Sequence, residues 1–165
     1  MRQASPAFAR IAERHRAEIE RYLGRLLGND ADAQDACQET FLRAHTAFAR
    51  LVPGSNTRAW LYRIATNSAR NAARGRSRRT ARIADVALDG LPADAVASPE
   101  DRMQLRAVAR AALALPPRQR AALVLRQFQD LDYAQIAATL GGTEATARAN
   151  VYQALKKLRS ALGGE

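Results

Sequence analysis

From Ser5 onward the apolar positions recur at three- and four-residue steps. Phe8, Ile11, Ile19, Tyr22, Leu23 and Leu26 fall on one face of a predicted first helix. Ser5-Pro6 opens it with a capping hydroxyl and a proline whose missing amide hydrogen costs nothing in a first turn. Gly28-Asn29-Asp30 stops it. A second helix buries Cys37, Phe41, Ala44 and Phe48 and ends at Pro53-Gly54-Ser55. Asn56 or Thr57 caps a third, which runs to about Arg76 and turns Leu61, Ala65, Ser68 and Ala72 towards the other two.

The period is lost from Ala84 to Ser98, where ADVALDGLPADAVAS has too little apolar surface to order itself strongly. It resumes at Ser98-Pro99-Glu100-Asp101, a hydroxyl cap, a first-turn proline and two acids that the helix dipole favours. Pro116-Pro117 ends that helix and starts the next, which carries Leu123, Leu125 and Phe128. Asp132-Tyr133-Ala134-Gln135 has the spacing of a capping box and opens a short helix with Ile136, Ala137 and Leu140. Gly141-Gly142 makes a turn, and Thr143 caps a long final helix whose stripe is Ala147, Val151, Leu155, Leu158 and Leu162. A short helix, a glycine turn and a longer basic helix form a helix-turn-helix pattern. No strand alternation appears. The pattern predicts an all-α chain: helical domains at 5–80 and 99–163, joined by a flexible linker at 81–98.

Composition agrees and narrows the function. A chain of 165 residues, 47% hydrophobic and 25% charged, is a soluble globular type with room for one large or two small domains. No run approaches the ~20 apolar residues of a membrane helix, and the N-terminus lacks a signal-peptide core, so the expected location is cytoplasmic. Cys37 stands alone, on the apolar stripe of its helix, and reads as a small buried hydrophobe. His15 and His45 lie on separate helices and form no metal-ligand pattern. Paired carboxylates, nucleophile motifs and phosphate-cradling glycine loops are missing, so neither an enzyme, a cofactor, a metal nor a small-molecule substrate is expected.

The net charge of +10 points to polyanions, and it is unevenly spread. Residues 51–80 hold seven basic side chains and no acidic one, and residues 105–165 hold nine against four. Between them, residues 81–104 are acidic by three. Two cationic surfaces thus flank a spacer that avoids polyanions.

The third helix is the most informative stretch. Opposite its apolar positions lie Trp60, Arg63, Asn67, Arg70, Asn71 and Arg74, and Arg76, Arg78 and Arg79 continue the charge. Guanidiniums contact phosphate, amides pair with exposed base edges, and an indole stacks on an unpaired base. Arginine-rich helices are usually just solvated, but solvated faces mix signs and this one does not.

These residues carry a family resemblance. Asp35-Ala36-Cys37-Gln38-Glu39-Thr40-Phe41-Leu42-Arg43-Ala44 resembles the core-polymerase-binding helix of bacterial sigma factors of the extracytoplasmic-function group. Asn56-Thr57-Arg58-Ala59-Trp60-Leu61-Tyr62-Arg63-Ile64-Ala65 resembles that family's promoter-melting helix. Leu115-Pro116-Pro117-Arg118-Gln119-Arg120, Ile136-Ala137, Leu140-Gly141 and Ala154-Leu155-Lys156-Lys157-Leu158-Arg159 resemble its region four. The resemblance implies a first domain that binds core RNA polymerase through Asp35, Gln38, Glu39, Leu42 and Arg43. It puts Trp60, Asn67, Arg70 and Asn71 near the melted minus-ten strand of promoter DNA. It gives the second domain the minus-thirty-five element, and it implies an anti-sigma factor that masks both.

The family's recognition helix often reads Gly-Thr-Val-Lys-Ser-Arg, whereas this chain has Ala145-Thr146-Ala147-Arg148-Ala149-Asn150. Ala145, Thr146, Ala149, Asn150 and Gln153 face away from the predicted core, with Arg148 on the flank and Lys156 available to phosphate. Alanine methyls can touch thymine methyls, and Asn150 or Gln153 can pair with adenine. The same alanines also simply raise helix propensity, and the sequence leaves both roles open. A stand-alone helix-turn-helix regulator is the competing function; it leaves the first domain unused. The chain ends soon after the recognition helix, so no appended regulatory domain is expected.

Overall fold

The computed structural model describes residues 5–75 and 98–163. They form seven helices: α1 (Pro6–Leu27), α2 (Asp30–Phe48), α3 (Thr57–Gly75), α4 (Pro99–Leu113), α5 (Pro117–Phe128), α6 (Tyr133–Leu140) and α7 (Glu144–Ala161). Residues 81–97 of the predicted linker, with Arg76, Arg78 and Arg79, lie outside the described residues. No helix among those described is long and apolar enough to cross a membrane.

Five helices start on side-chain caps, of which Asn29 enters the sequence reading only as part of the stop after the first helix. Asn29 accepts from the Asp32 amide at 3.1 Å, Asn56 from the Ala59 amide at 3.0 Å and Thr143 from the Thr146 amide at 3.1 Å. Ser98 with Asp101 and Asp132 with Gln135 close reciprocal capping boxes. Each such cap is worth about 1 kcal/mol. Ser5 is the exception. Its hydroxyl makes no capping bond, and α1 starts on the fixed φ of Pro6 alone.

Helices α1, α2 and α3 pack against one another, as do α5, α6 and α7. Ile19, Tyr22, Leu23, Phe41, Ala44, Leu61 and Ala65 centre the first group, and Leu125, Leu131, Ile136, Val151 and Ala154 the second. Cys37 is buried, and burial followed by the nearby Glu20 charge pushes its thiol up, away from the reactive thiolate. Two expected core positions are corrected. Leu162 is 45% exposed because it is the residue just past the last turn of α7. Phe128 is 51% exposed, its ring lying under the Arg25 guanidinium at 4.4 Å. Phe48 is only half-buried, tilted against Phe8 at 5.4 Å between centroids.

The two groups also touch. Helix α3 packs on α6 and α1 on α5, and one hydrophobic cluster runs through both groups. Gly28 permits part of this contact. It ends α1 at φ 65°, and a Cβ there would meet Leu113 Cδ1 at 2.5 Å. Helix α4 lies on α7 with an apolar side but no fully buried residue.

Candidate nucleic-acid interface

Helix α3 is held along two faces, and these set the direction of the third. Leu61, Ala65 and Ser68 are buried as expected, and Tyr62, Thr66 and Ala69 are buried beside them. The Thr66 hydroxyl donates to the Tyr62 carbonyl at 2.7 Å, so the Tyr22 hydroxyl, 2.8 Å away, donates to Thr66. What remains outward is Arg63, Asn67, Arg70, Asn71 and Arg74, all exposed. Among the described residues no carboxylate pairs with Arg63, Arg70 or Arg74. Trp60 stands at the edge of this face, half-buried and packed on the core. Its indole therefore has a structural contact as well as an open side.

Helix α7 offers a second outward face. Thr146, Arg148, Ala149, Gln153 and Lys156 are exposed, and Asn150 is half-buried. Arg148 is partly committed, bonding Glu144 at 2.9 Å and stacking on the Tyr133 ring at 4.4 Å. Arg126 lies at 4.9 Å from the same ring, so Tyr133 sits between two guanidiniums. The turn before α7 is tied down by Arg118, which donates to the carbonyls of Leu140, at 2.9 Å, and Gly141. Sequence reasoning missed Tyr152. At 100° per residue it falls with Ala145, Ala149 and Lys156 at the middle of this face, and it is 63% exposed. A tyrosine at that spacing, off the apolar stripe, was the available signal.

On α2, Asp35, Gln38, Leu42 and Arg43 are exposed and Glu39 is half-buried. Leu42 is 65% exposed and lines a shallow depression of about 410 Å³ with Glu39, Arg43, His45, Thr46 and Arg50. Arg43 pairs with Glu39 one turn back. An exposed leucine beside the Arg43–Glu39 pair has the make-up of a protein contact.

His15 is half-buried, and its Nδ1 bonds the Glu18 carboxylate three residues on. Glu18 also accepts from Arg58 Nε and from the Tyr62 hydroxyl, each at 3.0 Å. Burial alone pushes its carboxyl up, but bonds from His15 and Arg58, the Arg58 charge and the Tyr62 hydroxyl bring it below its ordinary value. No sequence spacing announced this cluster, which spans α1 and α3.

A helical bundle with a cationic outward face on α3, followed by a helix-turn-helix, has the make-up of a DNA-binding protein. Family comparison agrees on both parts. Residues 11–79 match sigma-70 region 2 and residues 105–158 match sigma-70 region 4. CarQ, an RNA polymerase sigma factor of Myxococcus xanthus, is 32% identical over 160 residues, which cover 97% of this chain and 91% of that protein. SigW of Bacillus subtilis, a sigma factor of the extracytoplasmic-function group, is 30% identical, covering 94% and 89%. SigE of Mycolicibacterium smegmatis, of the same group, is 35% identical over 96% of this chain, which spans 63% of that longer protein. Among solved structures, the fold is similar to that of CnrH in complex with the cytosolic domain of CnrY, with a TM-score of 0.72 and 25% identity over 95% and 88% of the two chains. It is also similar to that of the sigma factor RpoE in complex with the anti-sigma factor NepR from Bartonella quintana, with a TM-score of 0.74 and 22% identity over 96% and 98%. The chain belongs to the extracytoplasmic-function group of RNA polymerase sigma factors, proteins that direct promoter-specific transcription initiation and carry out no covalent chemistry.

Proposed function

We propose that this chain binds core RNA polymerase through the α2 surface of Asp35, Gln38, Glu39, Leu42 and Arg43 and directs it to promoters read at two places. Residues 5–80 act on the minus-ten element and residues 99–163 on the minus-thirty-five element. On α3, Arg63, Arg70 and Arg74 engage phosphates, Asn67 and Asn71 pair with exposed base edges, and the open side of Trp60 stacks on an unpaired base. Opening a base step costs a few kcal/mol, offset by stacking of ~1–3 kcal/mol per base and by phosphate contacts. On α7, Thr146, Ala149, Asn150 and Gln153 meet base edges in the major groove, while Arg148, Tyr152 and Lys156 reach its walls.

The observation that carries this assignment is the exposed α3 face, cationic and unpaired with carboxylates among the described residues. A stand-alone regulator has no use for it. The protein works in the cytoplasm with the polymerase. An anti-sigma factor is its natural inhibitor, a reading in keeping with the complex that the similarly folded RpoE makes with the anti-sigma factor NepR. The apolar groove of about 350 Å³ between α1, α4, α5 and α7 offers such a partner a site spanning both halves.

The test is transcription in vitro. Core polymerase plus this protein should start RNA at a matched promoter, and core polymerase alone should not. If no promoter-dependent RNA appears, or if the protein alone binds an inverted repeat tightly, the stand-alone regulator is the better description.

A further inference from the structure

Helix α6 ends without the backbone closure that usually satisfies a helix's last carbonyls. Gly141 follows at φ 74° and ψ 132°, outside the left-handed helical conformation that folds the next amides back onto the final turn. Among the described residues, neither Gly142 nor Thr143 returns an amide to α6. The donors come from another helix instead. Arg118, in the first turn of α5, donates from Nη2 to the carbonyls of Leu140, at 2.9 Å, and Gly141. These bonds span 22 and 23 residues of chain and place a cation at the negative pole of α6.

The turn itself is built from residues that resist ordering. Gly141 and Gly142 both take positive φ, at 74° and 128°, and glycine loses more freedom on folding than any other residue. A Cβ on Gly142 would lie 3.9 Å from Arg118 Nη2 and 3.8 Å from Thr146 Cβ, so the guanidinium and the first turn of α7 flank one glycine. Thr143 follows at once as the cap of α7. Arg118 therefore grips the chain between the two helices of the helix-turn-helix.

We propose that Arg118 is a positioning residue for reading the minus-thirty-five element: its guanidinium caps α6 from across the motif and so fixes the angle at which α7 enters the major groove. The inference rests on the assignment of α7 to that element. Gln153 lies nine residues beyond Glu144, about 14 Å along the α7 axis. A tilt of about 10° at the turn would move it by about 2 Å, enough to break a base-edge hydrogen bond whose usable range is only about half an ångström. The grip needs no DNA contact by Arg118 itself. Both bonds leave one nitrogen, so a lysine ammonium, with its three donors on one atom, can imitate them where methionine cannot.

The experiment sets Arg118→Met and Arg118→Lys beside the native full chain. It measures backbone order parameters by nuclear magnetic resonance, and promoter competition by the holoenzyme formed on core polymerase. Arg118 is exposed, so both variants should keep native helicity in circular dichroism. In the native chain the order parameters of Gly141 and Gly142 should lie near the ~0.85 of rigid backbone. In Arg118→Met they should fall towards about 0.6 while those of Leu125 and Val151 hold. Arg118→Lys should recover most of the difference. The methionine holoenzyme should discriminate about fivefold less well among minus-thirty-five variants, at several positions together. Loss of a single base-reading side chain would relax one position only. A mobile turn in the native chain, a rigid one in Arg118→Met, or undiminished discrimination by the methionine holoenzyme would each overturn the proposal. A salt slope shallower by about 0.9 with the turn still rigid would make Arg118 a phosphate contact instead. A native holoenzyme indifferent to the minus-thirty-five sequence would sink the assignment of α7, and the proposal with it.

Discussion

The ring of Tyr62 meets that of Tyr22 edge-on, with 5.0 Å between centroids and 89° between planes. Both are fully buried, and burial first of all pushes both phenols well above their ordinary range. They therefore stay neutral donors at any physiological pH. Tyr22→Phe removes the bond to Thr66 and should cost about 1 kcal/mol, while Tyr22→Ala should cost about 3–5 kcal/mol through the cavity it leaves. Urea unfolding midpoints check both, and an equal cost for the two would place the whole effect in the hydroxyl.

Glu18 should make the fold acid-sensitive. Its carboxyl is held below the ordinary 4.5, so its contribution is fully present above that value and is lost as pH falls through the lower, folded value. Native protein and Glu18→Gln, unfolded in urea between about pH 6 and pH 2, should differ most at the upper end and converge at the lower. A gap that widens on acidification would reverse the sign of the shift.

Removing Arg63, Arg70 or Arg74 should weaken binding to single-stranded DNA uniformly across sequences. Each alanine variant should make the slope of log affinity against log salt shallower by about 0.7. A slope that stays constant while affinity falls would show the arginine acting through the fold.

Trp60 has two contacts to lose, because it packs on the core and also borders the cationic face. Trp60→Ala should lower stability by about 1–3 kcal/mol and reduce permanganate reactivity of melted thymines more than polymerase recruitment. Trp60→Phe should restore the stability and only part of the melting. Equal losses of melting and recruitment in Trp60→Ala would make the indole purely structural.

The upstream element should contain A·T pairs opposite Ala149, Asn150 or Gln153. Selection from randomised promoters should return them, and Gln153→Ala should relax one position by about 1–3 kcal/mol. Selection of guanine-rich elements alone would leave the alanines as helix formers and nothing more.

The seven helices, the caps at Asn56, Ser98, Asp132 and Thr143, and the outward direction of Arg63, Asn67, Arg70, Asn71 and Arg74 were legible in the sequence. Helical period and capping are local, written in residues three or four apart. Leu162 and Phe128 read as core because periodicity records which side a residue takes, and not where a helix stops covering its neighbour.

The sequence by itself determined an all-helical chain, its charge segregation and the family motifs, because each depends on neighbours along the chain. Only the tertiary structure decided that Arg58 and Tyr62 would meet Gln129 and that Glu18 would gather His15, Arg58 and Tyr62. Apart from the His15–Glu18 bond, those contacts join residues 40 to 71 positions apart. Hydrogen bonds at 3 Å need a packed geometry that no periodic pattern encodes.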